Sequence, residues 1–183
     1  MSKHALILID IQVGFDDPCW GERNNPMAEK RAGALLTHWR QQGAPVVHVR
    51  HVSIEPGSPL VGAGAEFKPE VAPLASEVII EKSVNSAFIG TSLQAHLEAE
   101  GVRELTICGL TTPHCVSTTT RMAGNFGFKV NLVEDACAAF TSNADTSFDA
   151  GPPMSAREIH RTALAHLHRE FATVVQSQAL LQT

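Results

Sequence analysis

The chain has 183 residues, of which 44% are hydrophobic and 18% charged, with a formal net charge of −5. That is an ordinary globular balance, in a chain long enough for one domain with a substantial core. No basic cluster is present to serve nucleic acid, and no apolar run reaches the roughly 18 residues that argue for a membrane helix.

The opening "MSKHALILID" is too short and too quickly acidic for a signal peptide. Within it, "ALILI" (Ala5 to Ile9) is a continuous apolar run ending in Asp10, as expected of a strand covered on both faces. "NNPMAEKRAGALLTHWRQQG" reads as a helix, with Asn25 as its cap, Pro26 in its first turn and Gly43 just past its end. "PVVHVR" is a second strand, followed by a Gly- and Pro-rich loop from Val52 to about Lys68. "EVIIE" is the third strand, with Lys82 directly after it, and "GTSLQAHLEAEG" is a short amphipathic helix closed by Gly101. "ELTIC", "FKVNLV" and "ATVV" supply strands four, five and six. "SAREIHRTALAHLHREF" is the last long helix, with Ile159, Ala163, Leu164 and Leu167 on one face.

Strands alternating with helices predict an α/β fold with a mostly parallel sheet, and without repeat or linker residues 1–183 read as a single domain. In such a sheet chemistry collects beyond the carboxyl ends of the strands. The residues there are Asp10, Arg50 and His51, Lys82, the Gly109–Cys115 segment, and Glu134 with Asp135.

Each has an uneventful reading: Asp10 as a turn cap, Lys82 as a solvated cation, Cys115 as a small buried hydrophobe. Together they say more. "GLTTPHCVSTTT" puts Cys115 two residues past Pro113, at the mouth of a helix that its β-branched and hydroxyl residues do not favour and that packing must hold. A cysteine there faces unpaired N–H groups and the positive end of the helix dipole, which favour the thiolate. The same N–H groups can hold an oxyanion, a carboxylate can take the thiol proton, and a lysine can keep that carboxylate ionised. The four cysteines (19, 108, 115 and 137) form no CxxC pair, which suits a reduced, cytoplasmic protein. Cys19, Cys108 and Cys137 are assigned to packing, and Asp135 to capping the turn after strand five.

The blocks "LILIDIQVGF", "IEKSVNSAFIGTSL", "GLTTPHCVSTTTRMAGNFGFKV" and "VEDACAAF" resemble, in order and at matching spacing over about the whole chain, the signature blocks of the isochorismatase-like cysteine hydrolases. The resemblance implies a Rossmann-like three-layer α/β/α fold with a six-stranded sheet of order 3-2-1-4-5-6. It implies a catalytic triad of Asp10, Lys82 and Cys115, and a non-proline cis peptide at Leu110–Thr111 that turns the Thr111 N–H toward an oxyanion beside that of Cys115. It also implies a homodimer or homotetramer acting on a small molecule, with no nucleic-acid or membrane partner. An intact cysteine tilts the expected reaction toward C–N hydrolysis, with the vinyl-ether cleavage of the name-giving members as the alternative.

The nicotinamidase branch of that family carries an Asp-x-His metal site after strand two. Here "VRHVSIEPG" has His51 and Ser53 at those positions, and His48 and His51 point to opposite faces of an extended segment. No metal and no cofactor are expected. Near the triad in sequence, Phe15, Trp20, Phe88 and His114 are candidate pocket walls, and Gln12 and Asn85 candidate substrate-orienting groups. A phosphoryl-transfer reading would need a second acid two residues after Asp10 to hold Mg²⁺, where Gln12 stands. A non-catalytic scaffold on the same fold is the remaining rival, against which the intact triad weighs.

Overall fold

The computed structural model describes residues 3–182. Six strands form one sheet in the order β3-β2-β1-β4-β5-β6, and every pairing is parallel. They are β1 (Lys3–Ile9), β2 (Val46–His51), β3 (Val78–Lys82), β4 (Val102–Leu110), β5 (Lys129–Ala138) and β6 (Thr173–Val175). The helices are α1 (Ala28–Gln41), α2 (Leu93–Ala99), α3 (Ser117–Asn125), α4 (Ala156–Leu167) and α5 (Ser177–Leu181).

Helix α1 packs on β1 and β5 and meets α5, whereas α3 packs on α4. With right-handed crossovers this places α1 and α5 on one face and α2, α3 and α4 on the other. The two central strands are therefore buried on both sides: Ala5 to Ile9 and Leu105 to Leu110 are all nearly solvent-free, which is why the first reads as an unbroken apolar run and the second buries even Thr106. Among the described residues no helix is long and apolar enough to cross a membrane.

Several local expectations change. Asn25 does not cap α1. It sits at φ 45°, and its side-chain NH₂ donates to the carbonyls of Asp135 and Cys137, tying the chain before α1 to β5, so that α1 starts three residues later, at Ala28. Strand β5 runs five residues past "FKVNLV". Between two points where it pairs with β4, β5 advances five positions (Leu132 to Cys137) while β4 advances two (Ile107 to Gly109). The surplus bends β5 and turns Asp135 aside, so that it accepts hydrogen bonds from the Ser177 N–H (2.7 Å) and hydroxyl (2.6 Å) at the start of α5 rather than capping a turn after the strand.

At the same level Gly109 lies at φ +134°, and a Cβ there would meet the Ile9 carbonyl oxygen at 2.0 Å. Only glycine lets β4 pass β1 this closely, just where both strands end.

Candidate active site

Strand β1 ends at Ile9 and the chain turns sharply at Asp10, which adopts a left-handed conformation (φ 51°) that aspartate tolerates better than most residues. Its N–H donates to the Val49 carbonyl, and its side chain is fully buried at the switch point between β1 and β4. Lys82 ends β3, two strands away. Its buried side chain crosses the end of β2 and brings Nζ to 2.6 Å from Asp10 Oδ2 and 3.3 Å from Cys115 Sγ. Cys115 lies in a single wide turn, Thr112–Val116, in which Thr111 O accepts from both the His114 and Val116 N–H groups before α3 begins. The peptide bond Leu110–Thr111 is cis. Asp10, Lys82 and Cys115, from three separate strand ends, thus meet in one cluster.

A fourth residue completes it. His51, at the end of β2, places Nδ1 3.1 Å from Lys82 Nζ. The three protons of the ammonium therefore have three acceptors: a carboxylate oxygen, a ring nitrogen and the sulfur. The His51 main chain is held by Gln12, whose side-chain amide accepts from the His51 N–H and donates to its carbonyl, both at 2.9 Å, and donates again to Ala65 O. Gln12 is therefore a buried brace between β2 and the following loop, and not a pocket residue. His51 stands among the strand-end positions, but spacing alone could not show that its ring points to the lysine.

Burial sets the protonation states. It lowers His51 to about 4, with the Lys82 charge adding to the effect, so the ring is neutral and Nδ1 is free to accept. Burial also raises Asp10, opposed by the ion pair with Lys82. Cys115 is pushed up to about 12, first by burial and then by the Asp10 carboxylate. This corrects the expectation from the helix dipole: the resting sulfur is a thiol, because the low dielectric and the adjacent carboxylate outweigh the dipole and the ammonium. Asp10 Oδ1 makes no hydrogen bond of its own, which leaves a buried acceptor beside the thiol.

Asp10, His51 and Cys115 have ligand atoms within 4.8 Å of one another, a donor set of metal-binding type. The ammonium of Lys82 contacts all three, so their lone pairs already face a cation. A metal ion there would have to displace it or share the site against its charge.

His51 and Cys115 of the cluster line a cavity of about 440 Å³, with Lys82 and Asp10 buried behind them. Phe15, Trp20, Asn85 and His114 line it, with Thr111, and Asn85 Oδ1 stands 3.8 Å from the sulfur. Phe15 packs at a tilt against Trp20 and stacks on Phe140, with ring centroids 4.9 and 5.9 Å apart, and the Trp20 indole N–H donates to Gly14 O. Phe88 is not a wall. It packs on Phe128 in the core and on Phe126 at the surface. The loop after β2 adds Ser53, Glu55, Ser58 and Leu60, none of which carried a sequence signal, because an irregular loop has no periodicity to show which side chains turn inward. A larger cavity of about 690 Å³ opens at the other end of the strands, between Lys3, Arg40, Glu77 and Glu100, and no cysteine is among its lining residues.

The isochorismatase domain family matches residues 4–179. The chain is 46% identical over 184 residues to the isochorismatase family protein YrdC of Bacillus subtilis, covering 98% of this chain and 95% of that one. A crystal structure from Chromobacterium violaceum, of the same family, superposes with a TM-score of 0.92 at 46% identity, covering 98% of this chain and 92% of the other. Maleamate amidohydrolase of Pseudomonas putida is 29% identical over 161 residues, which is 73% of this chain and 71% of the relative. With nearly the whole chain matched and the sheet order in agreement, this chain belongs to the isochorismatase-like cysteine hydrolase family and is a hydrolase.

Proposed function

We propose that the chain hydrolyses a C–N bond of a small amide, carbamoyl or ureido compound through a Cys115 thioester. The observation that carries this reading is the contact of one buried ammonium, Lys82, with both Asp10 and Cys115, the last of which lines a cavity. The amidohydrolase among the relatives supports the same bond class.

In this mechanism Asp10 Oδ1 takes the thiol proton as Cys115 Sγ bonds to the substrate carbonyl carbon, so that a free thiolate never has to form at neutral pH. The N–H groups of Thr111 and Cys115 hold the tetrahedral oxyanion. The intermediate collapses by breaking the C–N bond, and Asp10 returns the proton to the departing nitrogen. Asp10 then deprotonates water, which attacks the thioester. The acid leaves and the sulfur recovers its proton. Lys82 keeps Asp10 ionised between these transfers and holds it against the sulfur. The residues supply every proton and charge the reaction needs, without a cofactor. The expected homodimer or homotetramer, with no nucleic-acid or membrane partner, rests on family resemblance.

The test is a panel of small amides and ureido compounds followed by ammonia release, with intact-protein mass spectrometry of quenched reactions. We expect a mass increment on Cys115 equal to the acyl group, and a loss of at least about 10³-fold in turnover for Cys115→Ala. Ammonia release that survives Cys115→Ala would sink the thioester, whereas no release from any amide by the wild type would favour vinyl-ether cleavage, which needs no sulfur nucleophile.

A further inference from the structure

The charges around the cavity are arranged in one sense. The basic side chains about the strand ends nearest the cavity are already paired: Arg23 with Glu29, Lys68 with Asp16 and Glu29, Arg50 with Glu66 and Glu81, Lys82 with Asp10. None of the four lines the cavity. Its two histidines are shifted toward the neutral form, His51 by burial and Lys82, His114 by partial burial. Among the described residues, the only formally charged side chain on the wall is Glu55. It sits in a turn closed by two backbone hydrogen bonds, Ser53 N–H to Leu60 O and Ser58 N–H to Glu55 O, and its own N–H donates to Ser53 Oγ. Among the described residues no salt bridge engages its carboxylate. The aromatic faces of Phe15 and Trp20 line the same cavity, and such faces attract cations as well as apolar groups.

We infer that this cavity selects substrates bearing a positive charge, an ammonium or guanidinium group set against Glu55 and the Phe15–Trp20 wall, and rejects substrates bearing a carboxylate. A carboxylate would enter a partly desolvated space with no free cation to meet it and one fixed negative charge opposing it. A cation would find the opposite. Glu55 is then a specificity-determining residue, remote from the reacting atoms. The inference names the substrate class for the proposed amide hydrolysis and rests on that reading only for the bond that is cut.

The charge preference can be read without any substrate, by timing the modification of Cys115 with three methanethiosulfonates of similar size: ethylammonium, uncharged methyl and ethylsulfonate. Exposed Cys19 serves as the internal reference in the same peptide map. At low salt we expect Cys115, normalised to Cys19, to react at least about threefold faster with the cationic reagent than with the anionic one. Glu55→Gln should close most of that gap and Glu55→Lys should invert it, with the Cys19 ratio unmoved and the gap narrowing in high salt. A Cys115 ratio equal to that of Cys19 and unaffected by either substitution overturns the inference. So does a Cys115 that none of the reagents reaches, since the cavity then admits no such molecule to the thiol. Amide hydrolysis fails on a different result: no ammonia and no thioester from any amide in the panel, whatever the reagent ratios.

Discussion

Asp10 and Cys115 interact so strongly that one substitution should move two observables in opposite directions. The Asp10 carboxylate helps hold the thiol up at about 12, and it is also the proposed base. Asp10→Asn removes the negative charge and leaves the Lys82 ammonium beside the sulfur. The thiol pKa must then fall, and iodoacetamide should alkylate Cys115 at pH 8 about tenfold or more faster than in the wild type. Hydrolysis should fall by at least about 10²-fold over the same substitution, because the proton has lost its acceptor. A general base separates these two readouts, whereas a merely structural carboxylate would change them together. His51 is tested differently. His51→Leu deprives the ammonium of its third acceptor, so we expect kcat to fall about tenfold with little change in KM. The ring's folded-state pKa of about 4 lies below its ordinary 6.5. The native state therefore binds fewer protons than the unfolded chain between those values, and loses stability as pH falls from 6.5 toward 4. The leucine variant should lose less over that window, by urea unfolding at pH 7 and pH 4.5.

At the scale of elements, the ends of β2 and β3 carry separate duties at their two extremities. The carboxyl ends present His51 and Lys82. Near the amino ends, buried His48 and Arg40 of α1 both bond Glu77, just before β3, at 2.9 and 2.7 Å. Glu77 also accepts from the Leu74 N–H, and these partners hold it at about 2, against an ordinary 4.5. Its contribution is thus fully present above pH 4.5 and is lost as pH falls from 4.5 toward 2. Glu77→Gln should destabilise the fold at pH 7 by about 1–3 kcal/mol, less at pH 3.5, in paired urea titrations. These elements also show what was legible in the chain. The run "ALILI" announced β1 because a strand covered on both faces has no polar alternation to blur it, and "ELTIC" announced β4 by its short β-branched and apolar stretch. Asp10, Lys82 and Cys115 stood out because each follows such a run. The positions that misled are those where a side chain bonds backbone far away in sequence. Asn25 looks like a helix cap and instead tethers β5, and Gln12 looks like a substrate ligand and instead braces His51. The bend in β5 was equally hidden, since "EDACA" breaks the apolar pattern where the strand in fact continues.

For the molecule as a whole, the site is a local conflict that the rest of the sheet has to sustain. Lys82 and Asp10 are both fully buried at their side chains, and an ion pair in that position recovers little more than its own desolvation cost. Breaking it on one side should be severe. Lys82→Met leaves Asp10 as an unpaired buried carboxylate, so we expect a loss of about 3–5 kcal/mol at pH 7. The penalty has a distinctive pH dependence. Without the lysine the Asp10 pKa rises further above its ordinary 3.8, and an acid whose folded pKa is raised regains stability as pH falls through that value. The Lys82→Met deficit should therefore shrink between neutral pH and about pH 4, the reverse of Glu77→Gln only in its cause: there a favourable interaction is lost to acid, here an unfavourable charge is neutralised by it. Adding Asp10→Asn to Lys82→Met removes the stranded charge while keeping a residue that tolerates the left-handed turn at position 10. The double variant should recover most of the loss at pH 7 and show little residual pH dependence in that range, while remaining inactive. If the deficits of the two single variants simply add, the charges are solvated independently, and the cluster cannot work as a single proton-handling unit.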